Sequence, residues 1–262
     1  MPPAVLSRRA LNRATLDRQL LLRRQSMPPL DLVDHLVGLQ AQTPHTWYVG
    51  FWTRLTECDP DAIGALLTSR QLVRIALMRS TIHLVTAADA LALRPLLQVV
   101  GERSFGGNFG KNLLDLDRDS LTEAGRAVLD AKPMTFSQLG HTLARQWPGR
   151  DEASLAQAIR AWVPLVQVPP RGVWGASGMA LHAPLESWVG EPLRDYPVDE
   201  MVLRYLAAFG PASVRDVQVW SGLTKLREVV DRLRDRLVVF QDEARVELFD
   251  LPDAPRPDPD TP

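Results

Sequence analysis

At 262 residues and 29.2 kDa, with 45% hydrophobic and 23% charged residues, the chain is long enough for two or three small domains with real cores. A formal net charge of -1 and a pI near 6.5 exclude a global positive field, so any affinity for nucleic acid must come from local clusters. A lone cysteine, Cys58, excludes an intramolecular disulfide, no run approaches the ~20 apolar residues of a membrane helix, and the start lacks a signal-peptide core; a cytoplasmic protein is expected.

Residues 7–25 place Leu11, Ala14 and Leu22 among Arg8, Arg9, Arg13, Arg18, Arg23 and Arg24, which reads as a basic amphipathic helix. Its arginines form either a solvated face or a strip for phosphates, with Arg8, Arg9 and Arg13 as candidate DNA contacts. Pro28 and Pro29 end it and open a second helix. There Leu32, Leu36 and Gln40 recur at steps of four beside Val33 and Val37, so Gln40 continues an apolar row. An unpaired amide on such a row costs roughly 1 to 3 kcal/mol, so Gln40 needs a partner or an opening to solvent. Thr43 precedes Pro44 and is biased towards extended backbone, which ends the helix and lets Gln42 turn towards the same place. The alternative is an ordinary glutamine-rich helix end. A third helix over residues 45–55 carries Trp47, Tyr48, Phe51 and Trp52 as core.

A short helix through Leu67 leads to two strands, residues 72–77 and 81–85. Arg79, Thr81 and His83 alternate onto one face of the second and form a further candidate DNA-contacting set. Three helices followed by a hairpin is the winged-helix order. After a helix over residues 87–100, the glycine-rich residues 101–112 read as a flexible linker or as backbone amides beside phosphates. They are not a nucleotide-binding loop, because Gly110-Lys111 is followed by Asn112.

The order then repeats. Helices are expected over residues 121–129, 136–147 and 153–163, with Asp151 as a cap, then strands over 165–168 and 179–182 around a turn-rich loop. Arg171 and Trp174 on that loop suit a DNA groove or backbone, or else Trp174 packs on its own domain. A third copy has helices over residues 198–209, 213–220 and 224–236 and strands over 237–240 and 245–249. Arg227, Arg232, Arg234 and Arg236 face DNA or pair with Glu228, Asp231 and Asp235. From Leu251 the chain is proline-rich, which reads as an extended linker. The five histidines and Cys58 show no ligand spacing, so neither metal nor cofactor is expected.

The expected fold is mainly α with short β hairpins, as tandem winged-helix repeats. The units are a first one over residues 1–100, a linker and second unit over 101–192, a third over 193–250, and a tail over 251–262.

Several spaced segments now stand together: Leu11-Asn12-Arg13 with Arg23-Arg24, Val37-Gly38-Leu39-Gln40-Ala41-Gln42, Met78-Arg79-Ser80-Thr81-Ile82-His83-Leu84-Val85, Arg171-Gly172-Val173-Trp174-Gly175, and Arg204-Tyr205-Leu206-Ala207-Ala208-Phe209-Gly210-Pro211-Ala212. Over essentially the whole chain this set resembles the AlkZ-like and YcaQ-like family of bacterial winged-helix DNA glycosylases. The resemblance implies a monofunctional hydrolase of DNA repair. It would excise bulky N7-alkylated purines from double-stranded DNA, interstrand crosslinks in some members, as a monomer associated with the nucleoid. The family's glutamine motif falls on Gln40 and Gln42, and glutamine rather than an acid at the second position points to the AlkZ-like side. Two departures stand out. Ser80 lies where the family usually has glycine, and the family's C-terminal β-rich domain, with its DNA-inserting hairpin, is expected to be missing. A rival expectation is a non-catalytic winged-helix regulator.

Overall fold

The computed structural model describes residues 3–261. Strand β1 (Ala4–Val5) precedes helix α1 (Arg8–Arg18), which Ser7 caps by accepting from the Ala10 amide. Helix α2 (Pro29–His35) opens on proline and is shorter than its apolar row suggests. Val37 at φ 55 and Gly38 at φ 100 turn the chain into strand β2 (Leu39–Gln40). Only glycine fits at position 38, since a Cβ would also lie 2.5 Å from Val85 Cγ1. Helices α3 (Thr46–Trp52) and α4 (Pro60–Thr68) follow, then the hairpin of β3 (Leu72–Ala76) and β4 (Ile82–Thr86).

Where one helix and a flexible linker were expected, there are two helices, α5 (Ala87–Leu96) and α6 (Gln98–Asn108), and a 3-10 turn, Gly110–Leu113. Tertiary packing overrides the glycines here: Phe105 meets the edge of Trp162 at 5.4 Å and stacks with Phe109.

The second set comprises α7 (Arg118–Ala131), α8 (Phe136–Ala144), α9 (Glu152–Trp162), β5 (Leu165–Gln167) and β6 (His182–Pro184). Asp151 caps α9 as expected, accepting from the Ser154 amide at 2.8 Å. Helix α10 (Leu185–Val189) leads to the third set: α11 (Val198–Phe209), α12 (Val214–Ser221), α13 (Leu226–Arg232), β7 (Val238–Gln241) and β8 (Glu247–Asp250).

The strands form two sheets, one ordered β2-β4-β3-β5-β6 and one ordered β1-β7-β8. The larger sheet joins the first hairpin to the strands of the second set through β3 and β5, with Arg74 opposite Gln167 and Ile75 opposite Val166. Its strands contribute Val73, Ile75, Val85 and Val166 to a core shared with α5 and α11, and Leu72 and Leu84 to a core shared with α2, α3 and α4.

The proline-rich segment does not extend into solvent. Arg18 and Asp250 form a buried bidentate ion pair at 2.6 and 2.8 Å, and Arg18 Nε donates to the Pro255 carbonyl. Arg9 Nε reaches the Pro259 carbonyl at 2.6 Å and Arg13 Nε the Thr261 carbonyl, so the tail lies back along α1.

Candidate active site

Gln40 and Gln42 do not sit at a helix end. Strand β2 runs antiparallel to β4, with Leu39 opposite Leu84 and Gln40 opposite His83, and Ala41 N donates to Ile82 O at 2.8 Å. Ala41 is fully buried and the two glutamines flanking it are exposed. The segment reaches this sheet edge through a two-residue strand and a ladder bond at Ala41 rather than through a broken helix. Gln42 is tied down, because its Oε1 accepts from Ile82 N at 3.1 Å. The Gln40 carboxamide makes no side-chain hydrogen bond among the described residues.

Beneath this pair lies Arg74, the single charged residue in the apolar run Leu72-Val73-Arg74-Ile75-Ala76-Leu77. It is 1% exposed and donates through Nη2 to the Ala41 carbonyl at 2.8 Å. Burial pulls its pKa down to about 10, and the charge of Arg171 pulls the same way. Sequence reading passed over Arg74, although a lone charge inside an apolar strand was a usable signal.

The loop between β5 and β6 closes over this region and docks on α3. Tyr48 Oη donates to Gly172 O at 3.1 Å, and His45 Nε2 donates to Val173 O at 2.9 Å. Trp174 packs against Tyr48, with centroids 5.0 Å apart, and stays 47% exposed; Arg171 donates to Gly178 O within the loop. The loop therefore brings Arg171 and Trp174 to the helix that follows the glutamine motif. On that helix Trp47, Tyr48 and Phe51 are buried as expected, whereas Trp52 is 56% exposed beneath Arg24, whose guanidinium lies 4.3 Å from its ring centroid.

The row of Arg79, Thr81 and His83 does not form. Arg79 and Ser80 lie in the tight turn before β4, at φ 53 and φ 58, and Arg79 Nη1 donates to Trp220 O at 3.0 Å. A left-handed turn breaks the alternation on which that expectation rested. Thr81 Oγ1 is used within the turn, donating to Met78 O. His83 is 4% exposed, and its Nδ1 donates to Thr81 O at 2.9 Å. Burial pushes its pKa down to about 4, partly opposed by that bond and aided by Arg79, so His83 is neutral at pH 7. Across the ladder from Gln40 stands an uncharged imidazole, and the motif is free of titration near neutral pH.

Of the α1 arginines, Arg8 is exposed, and Arg9 and Arg13 are engaged by tail carbonyls. The four arginines expected to face DNA or pair within the third set are ion-paired: Arg227 with Asp231 and Glu247, Arg232 with Asp199 at 2.7 Å, Arg234 with Glu247 at 2.6 Å, and Arg236 with Glu200. No cluster of metal-ligating side chains occurs among the described residues.

Three sets of helices, each followed by paired strands, give the fold of a DNA glycosylase of known structure. The Streptomyces sahachiroi DNA glycosylase AlkZ shares it with a TM-score of 0.74 at 22% identity, over 95% of this chain and 71% of that one. The interstrand DNA cross-link repair glycosylase of Streptomyces sahachiroi is 23% identical over 251 residues, covering 88% of this chain and 66% of that protein. The chain thus spans about two thirds of that relative's length. The family described as DNA glycosylase AlkZ-like matches residues 33–262, and the chain belongs to it.

Proposed function

We propose that the protein is a DNA glycosylase hydrolysing the N-glycosidic bond of bulky N7-alkylated purines in duplex DNA, with interstrand crosslinks as larger substrates of the same site. The observation that carries this reading is the exposed pair Gln40 and Gln42 around buried Ala41, opposite a neutral histidine. An N7-alkylated purine already bears a positive charge, so its departure needs no protonation. The C1′–N9 bond breaks with its electron pair moving to N9, which neutralises the base. A water oxygen then bonds C1′ and releases a proton to solvent, leaving an abasic sugar. The protein has to hold that water and tolerate an oxocarbenium, which carboxamide oxygens do by hydrogen bonding and dipole orientation. Gln40 and Gln42 hold the water in this reading, with Gln42 nearer the sugar.

The element order supports reading the three sets as tandem winged helices facing a double helix. Candidate contacts are Arg8, Arg9, Arg13, Arg79, Thr81, His83, Arg171 and Trp174. Arg171 and Trp174 are supported by their loop's docking beside the motif, and Arg8 by its exposure. Burial of His83 and the engagement of Arg9, Arg13, Arg79 and Thr81 within the protein give those residues less to offer DNA directly. Exposed carboxamides suit lesions too bulky to be rotated into a pocket.

A duplex containing N7-methylguanine tests the reading. Release of the free base with formation of abasic sites is expected from the protein, and about 100-fold more slowly from Gln40→Ala. Tight duplex binding with no base release would instead identify a non-catalytic regulator.

A further inference from the structure

We infer that Arg74 is a positioning residue for the paired carboxamides: its guanidinium holds the Ala41 peptide from below and so fixes the directions of Gln40 and Gln42. The inference rests on the glycosylase reading only for its catalytic consequence. The geometry stands without it.

Arg74 lies on β3, the middle strand of the five-stranded sheet, directly opposite Leu84 on one side and Gln167 on the other. Of its three nitrogens only Nη2 has a protein partner, the Ala41 carbonyl at 2.8 Å; Nε and Nη1 are buried without one among the described residues. No carboxylate among the described residues pairs with it. A buried cation lacking an acid is a poor stabiliser, and replacing such a group with an apolar one of similar volume is often neutral or favourable. Its one bond goes to the peptide between the two glutamines, which is where a positioning role would place it.

The hold is two-sided. Ala41 gives its N–H to Ile82 O at 2.8 Å and its carbonyl to Arg74, so both polar groups of that peptide unit's residue are fixed. Above the guanidinium the loop backbone closes at Gly172, where φ is +94 and a Cβ would lie 2.9 Å from Arg74 Cδ and 3.3 Å from Nη1. Gly172 is itself pinned by Tyr48 through its carbonyl. Arg74 therefore has one place to be, and the segment 40–42 rests on it. With a pKa of about 10 it stays charged throughout the neutral range and adds no titration there.

The test compares Arg74→Met, Arg74→Lys and Gly172→Ala with the unchanged protein. In Arg74→Met, amide exchange at Ala41 and Ile82 should quicken by about tenfold or more while the three-stranded sheet is unaffected. Single-turnover release of 7-methylguanine from saturated duplex should fall by about tenfold to a hundredfold, with duplex Kd within about twofold and the melting temperature maintained. Arg74→Lys should recover part of the rate, since one ammonium donor suffices for one carbonyl. Gly172→Ala, which displaces the guanidinium, should quicken exchange at the same two amides. Unchanged exchange at Ala41 and Ile82 would overturn the inference, as would faster exchange with no loss of rate or faster exchange spread evenly over both sheets. If the unchanged protein releases no base the glycosylase reading fails instead, if Gln40→Ala releases it normally the role of Gln40 fails instead, and in both cases exchange alone decides whether Arg74 orders the segment.

Discussion

The backbone of Ile82 meets the glutamine motif twice: its N–H donates to Gln42 Oε1 at 3.1 Å, and its carbonyl accepts from Ala41 N at 2.8 Å. One residue of β4 thereby sets both the course of the motif's backbone and the aim of one of its side chains. Gln42 stands in for a strand carbonyl in the ladder, with its amide nitrogen and one oxygen lone pair left over. Gln40 is not tied and can adjust to what binds.

This difference separates the two truncations. Gln40→Ala removes an exposed group without a protein partner, so unfolding stability should change by less than about 0.5 kcal/mol. The rate on an N7-methylguanine duplex should fall about 100-fold with Kd preserved. Gln42→Ala should also cost about 1 kcal/mol of stability, because the Ile82 amide loses its acceptor. Urea unfolding and single-turnover kinetics on the same preparations check both.

Rate and stability should depend differently on pH. Carboxamides do not titrate and His83 is neutral, so the single-turnover rate should be flat between about pH 6 and 8. Stability should not be flat at lower pH. Burial holds His83 and His182 at about 4 in the fold, against an ordinary 6.5, so the unfolded chain takes up their protons first as the pH falls. The stabilisation is complete above about pH 6.5 and is lost on descent towards pH 4, by at most about 3 kcal/mol per histidine. Urea midpoints between pH 7 and pH 4 should show this decline, and His83→Gln or His182→Gln should flatten it.

Arg18 and Asp250 tie α1 to the last strand of the third set with both side chains at 1% exposure or less. Asp250→Ala strands a buried guanidinium and should cost about 3 to 5 kcal/mol. Replacing both partners, as Arg18→Met with Asp250→Leu, should recover most of that loss. Denaturant unfolding of the single and double variants measures it.

Arg171 and Arg227 should behave oppositely towards DNA. Arg171 has no acid partner among the described residues, and its loop lies beside the motif, whereas Arg227 is held by Asp231 and Glu247. Arg171→Gln should weaken duplex binding and reduce the slope of log K against log salt by about 1. Arg227→Gln should leave that slope unchanged. Titrations at several salt concentrations decide between them.

Much of the architecture was legible because it rests on short-range patterns. The helix capped by Asp151, the apolar runs of β3 and β4, and the span of α11 all follow from local propensity and burial pattern. Ranges failed where contacts distant in sequence decided the backbone. Glycines at 106, 107 and 110 suggested a linker, yet Phe105 and Phe109 anchor that segment beside Trp162. Arg79 was expected on a strand, but the turn at Arg79 and Ser80 sends it to Trp220, a residue 141 positions away.

By itself the sequence marked Gln40 and Gln42 as candidates and their carboxamides as groups that do not titrate, because a motif's chemistry resides in its side chains. Only the tertiary structure decided how they are held. Gln40 stands on a two-residue strand paired to β4 while Gln42 is held by the Ile82 amide, His83 is neutral through burial, and Arg74 reaches Ala41 across 33 positions of chain. Strand pairing and desolvation act between segments far apart in sequence, and no local period encodes them.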